Sequence, residues 1–360
     1  MNIRCYRRVD FMEKKRIAVA MSGGVDSSVT AAVLKEQGHE VVGITMNLSE
    51  CSAGAVADAG LVADFLGIRH YTADFRSLFQ REVIDYFFAE YARGRTPNPC
   101  VACNPAVKFG GLLQKAEELG CEYLATGHYA RIGRNEAAGR YTICKGTDEG
   151  KDQAYALYRL RQEQLARVLT PLGGWTKSRT RAEALKRGLP VANKPESQEI
   201  CFVPDDYRQY LLQHRPEMQR KGDIVDTGGR VLGSHQGIAF YTVGQRRGLG
   251  IASDKPLYVV GLDPERNQVI AGSNEEVFAR GLKAGKLNWV ALEGLASPVE
   301  AAVKIRYGAR EAPAVLQPQP DGTVRVEFRT PQRAVTPGQS AVFYRGDMVL
   351  GGGIILDSFR

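Results

Sequence analysis

Residues 16–28 read RIAVAMSGGVDSS, and this stretch decides the predicted fold. Residues 16–21 form a short apolar run that is typical of a buried strand, and residues 28–37 have the apolar spacing of a helix. A loop of small and polar residues lies between them. Paired glycines let a backbone approach a phosphate closely, and the amide groups at the start of a helix attract an anion. The stretch therefore predicts a phosphate-binding loop between a strand and a helix.

The chemistry of this loop differs from that of two common nucleotide-binding loops. It has neither the Lys-Ser or Lys-Thr pair of a Walker A loop nor the G-x-G-x-x-G dinucleotide pattern. Asp26 is a candidate ligand for a Mg²⁺ ion that bridges phosphates. The alternative is an ordinary glycine-rich turn, but such a turn needs one glycine and no run of small polar residues.

The rest of the N-terminal half continues the alternation of strand and helix. Strands are predicted at residues 40–46, 71–75 and 122–126, and helices at residues 53–66, 77–93 and 108–119. This alternation favours an α/β fold with a doubly wound, Rossmann-like parallel sheet.

The pattern changes near residue 200. Residues 205–270 mix short helical and strand signals with many glycines. From about residue 275, alternating runs between Gly and Pro turns predict a small antiparallel β-barrel or sandwich. We therefore predict an N-terminal extension (1–13), a nucleotide-binding catalytic domain (14–204), a small central domain (205–272) and a C-terminal β-barrel domain (273–360).

Composition limits the class of protein. The 360 residues contain no apolar window near the ~18 residues that a membrane-spanning helix needs. The net charge of +8 is unevenly spread, with +7 in residues 131–221 against −5 in residues 17–130. Such asymmetry fits a polyanion-binding surface, although a solvated face explains it equally well. Seven cysteines scattered over a long chain favour the reducing cytosol.

A second motif concerns cysteine chemistry. Residues 96–104 read TPNPCVACN, which we expect to form a proline-bracketed loop between two helices. Its C-x-x-C spacing allows Cys100 and Cys103 to share a metal or form a disulfide, but a structural zinc site would need a second ligand pair. Cys201 lies far along the chain, within SQEICFV at residues 197–203. Ordinary small-residue roles are expected for the remaining cysteines, namely Cys5, Cys51, Cys121 and Cys144.

These motifs carry a resemblance to a known family. The S-G-G-x-D-S pattern resembles the PP-loop of the ATP pyrophosphatase superfamily. The chain as a whole, over residues 14 to about 357, resembles the tRNA-specific 2-thiouridylase family. The shared motifs are TPNPCxxCN, KFG at 108–110, TGHYAR at 126–131, KDQ at 151–153, SQEICF at 197–202, YTVGQRRGLG at 241–250, KIRY at 304–307 and TPGQ at 336–339.

The resemblance implies an enzyme that uses ATP and Mg²⁺ to adenylate the C2 oxygen of the wobble uridine and to replace it with sulfur. AMP and pyrophosphate would be released, and the product would be 2-thiouridine. The implied partners are the tRNAs for lysine, glutamate and glutamine and a sulfur-donor protein of a persulfide relay. The implied location is the cytoplasm, and the barrel domain would contact tRNA.

The resemblance also implies roles for individual residues. Residues implied to bind ATP are Ala20, Met21, Ser22, Gly23, Gly24, Val25, Asp26, Ser27, Met46 and Gly127. Residues implied to face the target base are Asn98, Pro99 and Cys100. Cys103 corresponds to the nucleophile and Cys201 to the persulfide carrier. Residues implied to touch tRNA are His128, Lys151, Asp152, Gln153, Arg306, Tyr307 and Gln339.

One departure from the family leaves the sulfur chemistry open. Many relatives have an aspartate where this chain has Cys100, so a general-base role at that position is in doubt. Cys100, Cys103 and Cys201 could together ligate a 4Fe–4S cluster and leave one iron open for sulfide. Persulfide and cluster schemes are thus both compatible with the sequence.

Two other kinds of function compete with this one. A PP-loop enzyme with another acceptor, such as an amidotransferase or an argininosuccinate-type ligase, would leave the cysteine set unexplained. An RNA-binding module without catalysis would need only the basic block and the β domain.

Overall fold

The computed structural model describes residues 13–49, 52–196, 200–203 and 206–360. Cys5, Cys51, the predicted extension up to residue 12 and the SQE part of the Cys201 motif lie outside the described residues. Within the described ranges, no helix has the length and apolar character needed to cross a membrane.

The N-terminal region alternates strands and helices as predicted. Its strands are β1 (Arg16–Ala20), β2 (Glu40–Asn47), β3 (Arg69–Asp74), β4 (Tyr123–Ala125), β5 (Ala130–Asn135), β6 (Arg140–Lys145) and β7 (Val168–Leu169). Its helices are α1 (Val25–Glu36), α2 (Ala53–Leu66), α3 (Arg76–Phe79), α4 (Asp85–Ala92), α5 (Pro99–Cys103), α6 (Leu112–Glu118), α7 (Ala154–Leu157), α8 (Gln162–Leu165) and α9 (Lys177–Lys186). Two π-helical segments, Gln80–Ile84 and Asn104–Gly111, join α3 to α4 and α5 to α6, and a 3₁₀ turn spans Pro171–Gly174.

Five of these strands form one parallel sheet in the order β3-β2-β1-β4-β7. Ile17, Ala18 and Val19 of β1 are fully buried, as expected of a parallel strand covered on both faces. The chain leaves β1 toward β2 on one side and reaches β4 on the other. This change of direction opens a crevice at the carboxyl ends of β1 and β4, where α/β proteins bind ligands. The predicted doubly wound sheet is confirmed.

The central region contains a second, smaller sheet. Helix α10 (Tyr207–His214) precedes strands β8 (Gly222–Asp226), β9 (Val231–His235), β10 (Tyr258–Asp263) and β11 (Gln268–Gly272), and 3₁₀ turns span Pro216–Met218 and Ile238–Phe240. The strand order is β10-β11-β8-β9. Ile224 and Val259 of this sheet share one core with Phe87 of α4, so the central region packs on the nucleotide-binding region.

The C-terminal strands close into a six-stranded antiparallel barrel, as predicted. They are β12 (Phe278–Trp289), β13 (Val299–Lys304), β14 (Ala312–Pro318), β15 (Val324–Arg333), β16 (Ser340–Arg345) and β17 (Met348–Phe359), preceded by a 3₁₀ turn at Glu275–Val277. Pairing of β12 with both β15 and β17 closes the barrel and leaves the six strands without an open edge. The β5–β6 hairpin extends this sheet through the pair Met348 and Cys144. This hairpin is not among the strands predicted from the sequence.

Candidate active site

The glycine-rich loop lies at the carboxyl end of β1 and leads into α1. Gly24 is the N-cap of α1, and among the described residues no side chain caps this helix. The hydroxyls of Ser27 and Ser28 donate instead to the Gly24 carbonyl, at 3.1 and 2.8 Å. The amide groups of the first turn are therefore left for an anion. Helix α1 begins three residues before the predicted start because the loop residues Val25 to Ser27 already form its first turn.

Two glycines are required by the packing of this loop. Gly23 has φ of +66°, and a Cβ atom there would lie 2.6 Å from the Ala55 carbonyl oxygen. Gly127 follows β4, and its Cβ atom would lie 2.8 Å from the carbonyl carbon of Asp26. The carboxyl end of β4 thus packs directly on the phosphate loop. Of the other residues implied to bind ATP, Met21 is buried, and Ala20 and Met46 are half-buried.

The Asp26 carboxylate is held by protein groups. The ammonium of Lys177, in the first turn of α9, lies 2.6 and 2.7 Å from its two oxygens. The Tyr129 hydroxyl donates to Oδ1 at 2.8 Å. Both oxygens are thus engaged by donors, so the carboxylate does not fit the predicted role of an open Mg²⁺ ligand in this arrangement. Lys177 is 151 residues away from Asp26, and no local sequence signal at Lys177 points to the loop.

The C-x-x-C motif opens a helix, so the expectation of a loop is wrong. Asn98 is the N-cap of α5, and its side-chain oxygen accepts from the amides of Cys100 and Val101 at 3.1 and 3.4 Å. Pro99 occupies the first helical position. An Asn N-cap followed by Pro is a strong helix start that the sequence already contained. Because residues three apart share a helix face, Cys100 and Cys103 lie side by side.

The three thiols of the predicted site interact with one another. Burial raises the pKa of Cys103 to about 11, negative charge at Cys201 and Cys100 acts in the same direction, and Lys108 opposes the shift. Cys201 lies at the surface, but partial desolvation followed by charge at Cys100 also raises the pKa of its thiol. Cys103 and Cys201 are therefore neutral thiols at pH 7. Lys108 is the cation that favours the thiolate of either one.

Loop residues of the barrel hold the segment that leads to α5. The Thr96 amide donates to the Pro337 carbonyl at 2.9 Å. The side-chain amide of Gln339 donates to the Thr96 carbonyl at 2.9 Å. Gln339 was expected to touch tRNA, and the structure shows its amide nitrogen bound to the backbone before Asn98.

Three other residues implied to touch tRNA have side chains that are bonded within the protein. Asp152 is only 8% exposed and accepts from the amides of Gly146 and Ala154. The Gln153 side chain accepts from the Tyr129 amide at 2.9 Å. The His128 ring lies 2.7 Å from the Thr126 hydroxyl, and burial holds its pKa well below the usual range, so it is neutral.

Arg306 and Tyr307 are the exposed members of that set, and Lys151 is half-buried. Lys151 pairs with Glu196 at 2.6 Å. Tyr307 on the barrel is 45% exposed, and burial of its hydroxyl followed by negative charge at Asp152 raises its pKa. Charge at Cys100 also acts on Tyr307, so this edge of the barrel lies beside the cysteine helix. Arg306 donates to the carbonyl of Arg333 at 3.2 Å.

Family models and a solved structure match different parts of the chain. Models described as "tRNA methyl transferase HUP domain", "tRNA methyl transferase PRC-barrel domain" and "Aminomethyltransferase beta-barrel domain" match residues 15–205, 208–273 and 279–355. The solved U34-tRNA thiolase NcsA from Methanococcus maripaludis is 18% identical, with a TM-score of 0.35 over 59% of this chain and 69% of its own.

A parallel sheet with an uncapped helix start at its switch point, preceded by the loop sequence SGGVDS at residues 22–27, defines the class as a PP-loop nucleotide-binding protein. The tRNA-specific 2-thiouridylase MnmA of Carboxydothermus hydrogenoformans is 52% identical over 361 residues, covering 96% of this chain and 99% of its own. The enzyme of the same name from Heliobacterium modesticaldum is 53% identical over 357 residues, covering 95% and 93%. The chain belongs to the tRNA-specific 2-thiouridylase family.

Proposed function

We propose that this protein uses ATP to adenylate the C2 oxygen of the wobble uridine of tRNA and then replaces that oxygen with sulfur. The observation that carries the proposal is that residues next to the phosphate loop and the thiols interact with the same lysine, Lys108. Gly127 packs on the loop. The pKa of its neighbour His128 is lowered by burial and further by the positive charge of Lys108. The same lysine acts on Cys103 and Cys201. A base held beside α5 would thus lie between activated phosphate and sulfur.

The proposed chemistry needs both parts of this site. A uridine C2 oxygen leaves poorly, and adenylation converts it into AMP, which leaves readily. The thiolate of Cys103 attacks the inner sulfur of a persulfide on Cys201, forms a disulfide between the two cysteines and expels hydrosulfide. Hydrosulfide attacks the activated C2, and AMP departs with the electron pair of the C–O bond. Water must be excluded because hydrolysis would only restore uridine.

The metal-dependent alternatives have less support from the arrangement of side chains. In the described part of the chain, no group of three or more His, Cys, Asp or Glu residues is arranged to hold a metal ion. Cys100, Cys103 and Cys201 interact electrostatically, but in the described part of the chain they are not grouped as a metal site. We therefore assign Cys100 to the wall of the base pocket with Asn98 and Pro99, and the proposed sulfur transfer uses the thiols of Cys103 and Cys201.

The proposal extends to partners and domain roles. Substrates would be the tRNAs for lysine, glutamate and glutamine, with sulfur delivered by a persulfide-relay protein in the cytosol. Residues 14–204 would act as the catalytic domain, residues 205–272 as the small central domain and residues 273–360 as the tRNA-contacting barrel. The separate sheets and the contact of Thr96 with Pro337 support this division.

One experiment separates this function from the alternatives. Wild-type protein should release pyrophosphate only when tRNA is present, and should form 2-thiouridine when a persulfide donor is added. The Cys201→Ser variant should still release pyrophosphate with tRNA but form no 2-thiouridine by mass spectrometry. Release of pyrophosphate without tRNA would favour another acceptor, and no release at all would favour an RNA-binding module.

A further inference from the structure

The phosphate loop lacks a cation of its own. Asp26 is the single charged residue in the stretch from Met21 to Ser28, and it is negative. A bound triphosphate beside this carboxylate needs positive charge from outside the loop. Two lysines from the region after the sheet, Lys177 and Lys194, reach the loop.

Lys177 presents its ammonium to the first turn of α1. The residue is 8% exposed, and its Nζ contacts both oxygens of Asp26. Its backbone amide donates to Asp148 at 2.8 Å, which fixes the start of α9. The Tyr129 ring centroid lies 5.8 Å from Nζ. The ammonium therefore stands next to the uncapped amides where an anion is expected.

Lys194 makes a different kind of contact. Its Nζ donates to the Gly23 carbonyl at 3.0 Å and pairs with Asp58 of α2. The ammonium of Lys194 therefore joins the loop, through the Gly23 carbonyl, to α2, through the Asp58 carboxylate. Lys194 is thus a brace of the loop and serves as the matched comparison for Lys177.

Glu196 is a second carboxylate in contact with Lys177. Its carboxylate lies 3.2 Å from Lys177 Nζ, 2.6 Å from Lys151 and 3.6 Å from Arg181. Three cations around one carboxylate keep Glu196 charged, and hydrogen bonds from Lys151 and Lys177 lower the pKa of its carboxyl to about 2. Two carboxylates, those of Asp26 and Glu196, thus hold the Lys177 ammonium in place before ATP binds, which reduces the entropy cost of ordering a long side chain on binding.

We propose that Lys177 binds the pyrophosphate portion of ATP, that Asp26 and Glu196 position its ammonium, and that the chain thus supplies from α9 the cation that its loop lacks. Negative charge grows on the pyrophosphate as the bond between the α- and β-phosphates breaks, and a fixed ammonium there stabilises that charge. The inference rests on the proposed use of ATP.

The test compares ligands that differ in the pyrophosphate portion. Calorimetry on the full chain, at constant Mg²⁺, should give the dissociation constants of ATP and AMP for wild type, Lys177→Met and Lys194→Met. Methionine retains the length of the lysine stem and removes the charge. We expect Lys177→Met to weaken ATP binding about tenfold to a hundredfold, the size of a charged hydrogen bond, and to change AMP binding less than twofold. Glu196→Gln should also weaken ATP binding, by a smaller factor.

The controls address folding and the unpaired carboxylate. Lys177→Met leaves the Asp26 carboxylate without its ammonium partner, so the double variant Lys177→Met with Asp26→Asn removes both charges. Thermal unfolding reports whether each variant folds. The double variant should show the same selective loss of ATP binding. An equal loss of ATP and AMP binding in Lys177→Met would show that Lys177 only braces the loop, and would overturn the inference. Unchanged ATP binding in Lys177→Met, or the same selective loss of ATP binding in Lys194→Met, would also overturn it. Failure of wild type to bind ATP would instead overturn the proposed function.

Discussion

Replacing Gly127 with alanine tests the packing of β4 against the phosphate loop. The new Cβ atom would lie 2.8 Å from the carbonyl carbon and Cβ of Asp26 and 3.0 Å from the Ser27 amide nitrogen. Carbon atoms prefer about 3.5 Å, so the first turn of α1 must move by about 0.7 Å. Overpacking of this kind costs about 1–3 kcal/mol, and the displaced amides are those expected to meet a phosphate.

We expect Gly127→Ala to lower the thermal midpoint by a few degrees and to weaken ATP binding at least tenfold, while tRNA affinity stays within twofold. Gly60→Ala is the matched control because a methyl group at this position inside α2 would meet open space, with no neighbouring atom within 4 Å. That control should bind ATP normally and gain about 0.5–1 kcal/mol of stability from helix propensity. Wild-type ATP affinity in Gly127→Ala would refute the packing argument.

Three further predictions concern the cysteine helix and tRNA. Asn98→Ala should lose about 1 kcal/mol of stability and most of the thiolation rate because the N-cap of α5 is removed. Asn98→Asp keeps a side-chain acceptor and should retain both. Unchanged thiolation in Asn98→Ala would contradict the capping role. Alkylation of Cys103, followed by peptide mapping, should rise about tenfold per pH unit from pH 7 to 10 because its thiolate forms only near the raised pKa of about 11, and a plateau by pH 9 would oppose this. Cys100→Asp, prepared without oxygen, should thiolate tRNA while free of iron; loss of activity together with iron would favour the cluster scheme.

The sequence by itself determined the sheet, the barrel and the family. Apolar periodicity is a local property, so β1 and α2 were predicted within a residue of their observed bounds. The S-G-G-x-D-S loop and the C-x-x-C motif were also recognisable locally. The helix start at Asn98 and Pro99 was equally local, and it was misread because the surrounding prolines suggested a loop.

Tertiary structure alone decided which distant groups complete the site. Lys177 meets Asp26 across 151 positions, and Gln339 meets Thr96 across 243. The β5–β6 hairpin leaves the nucleotide-binding region and joins the barrel sheet. These contacts arise from the packing of whole elements against one another, and the residues involved have ordinary local surroundings. Periodicity and motif spacing depend on residues that are close along the chain. The charge of Asp26 on the phosphate loop is balanced by Lys177, which is close only in the folded structure.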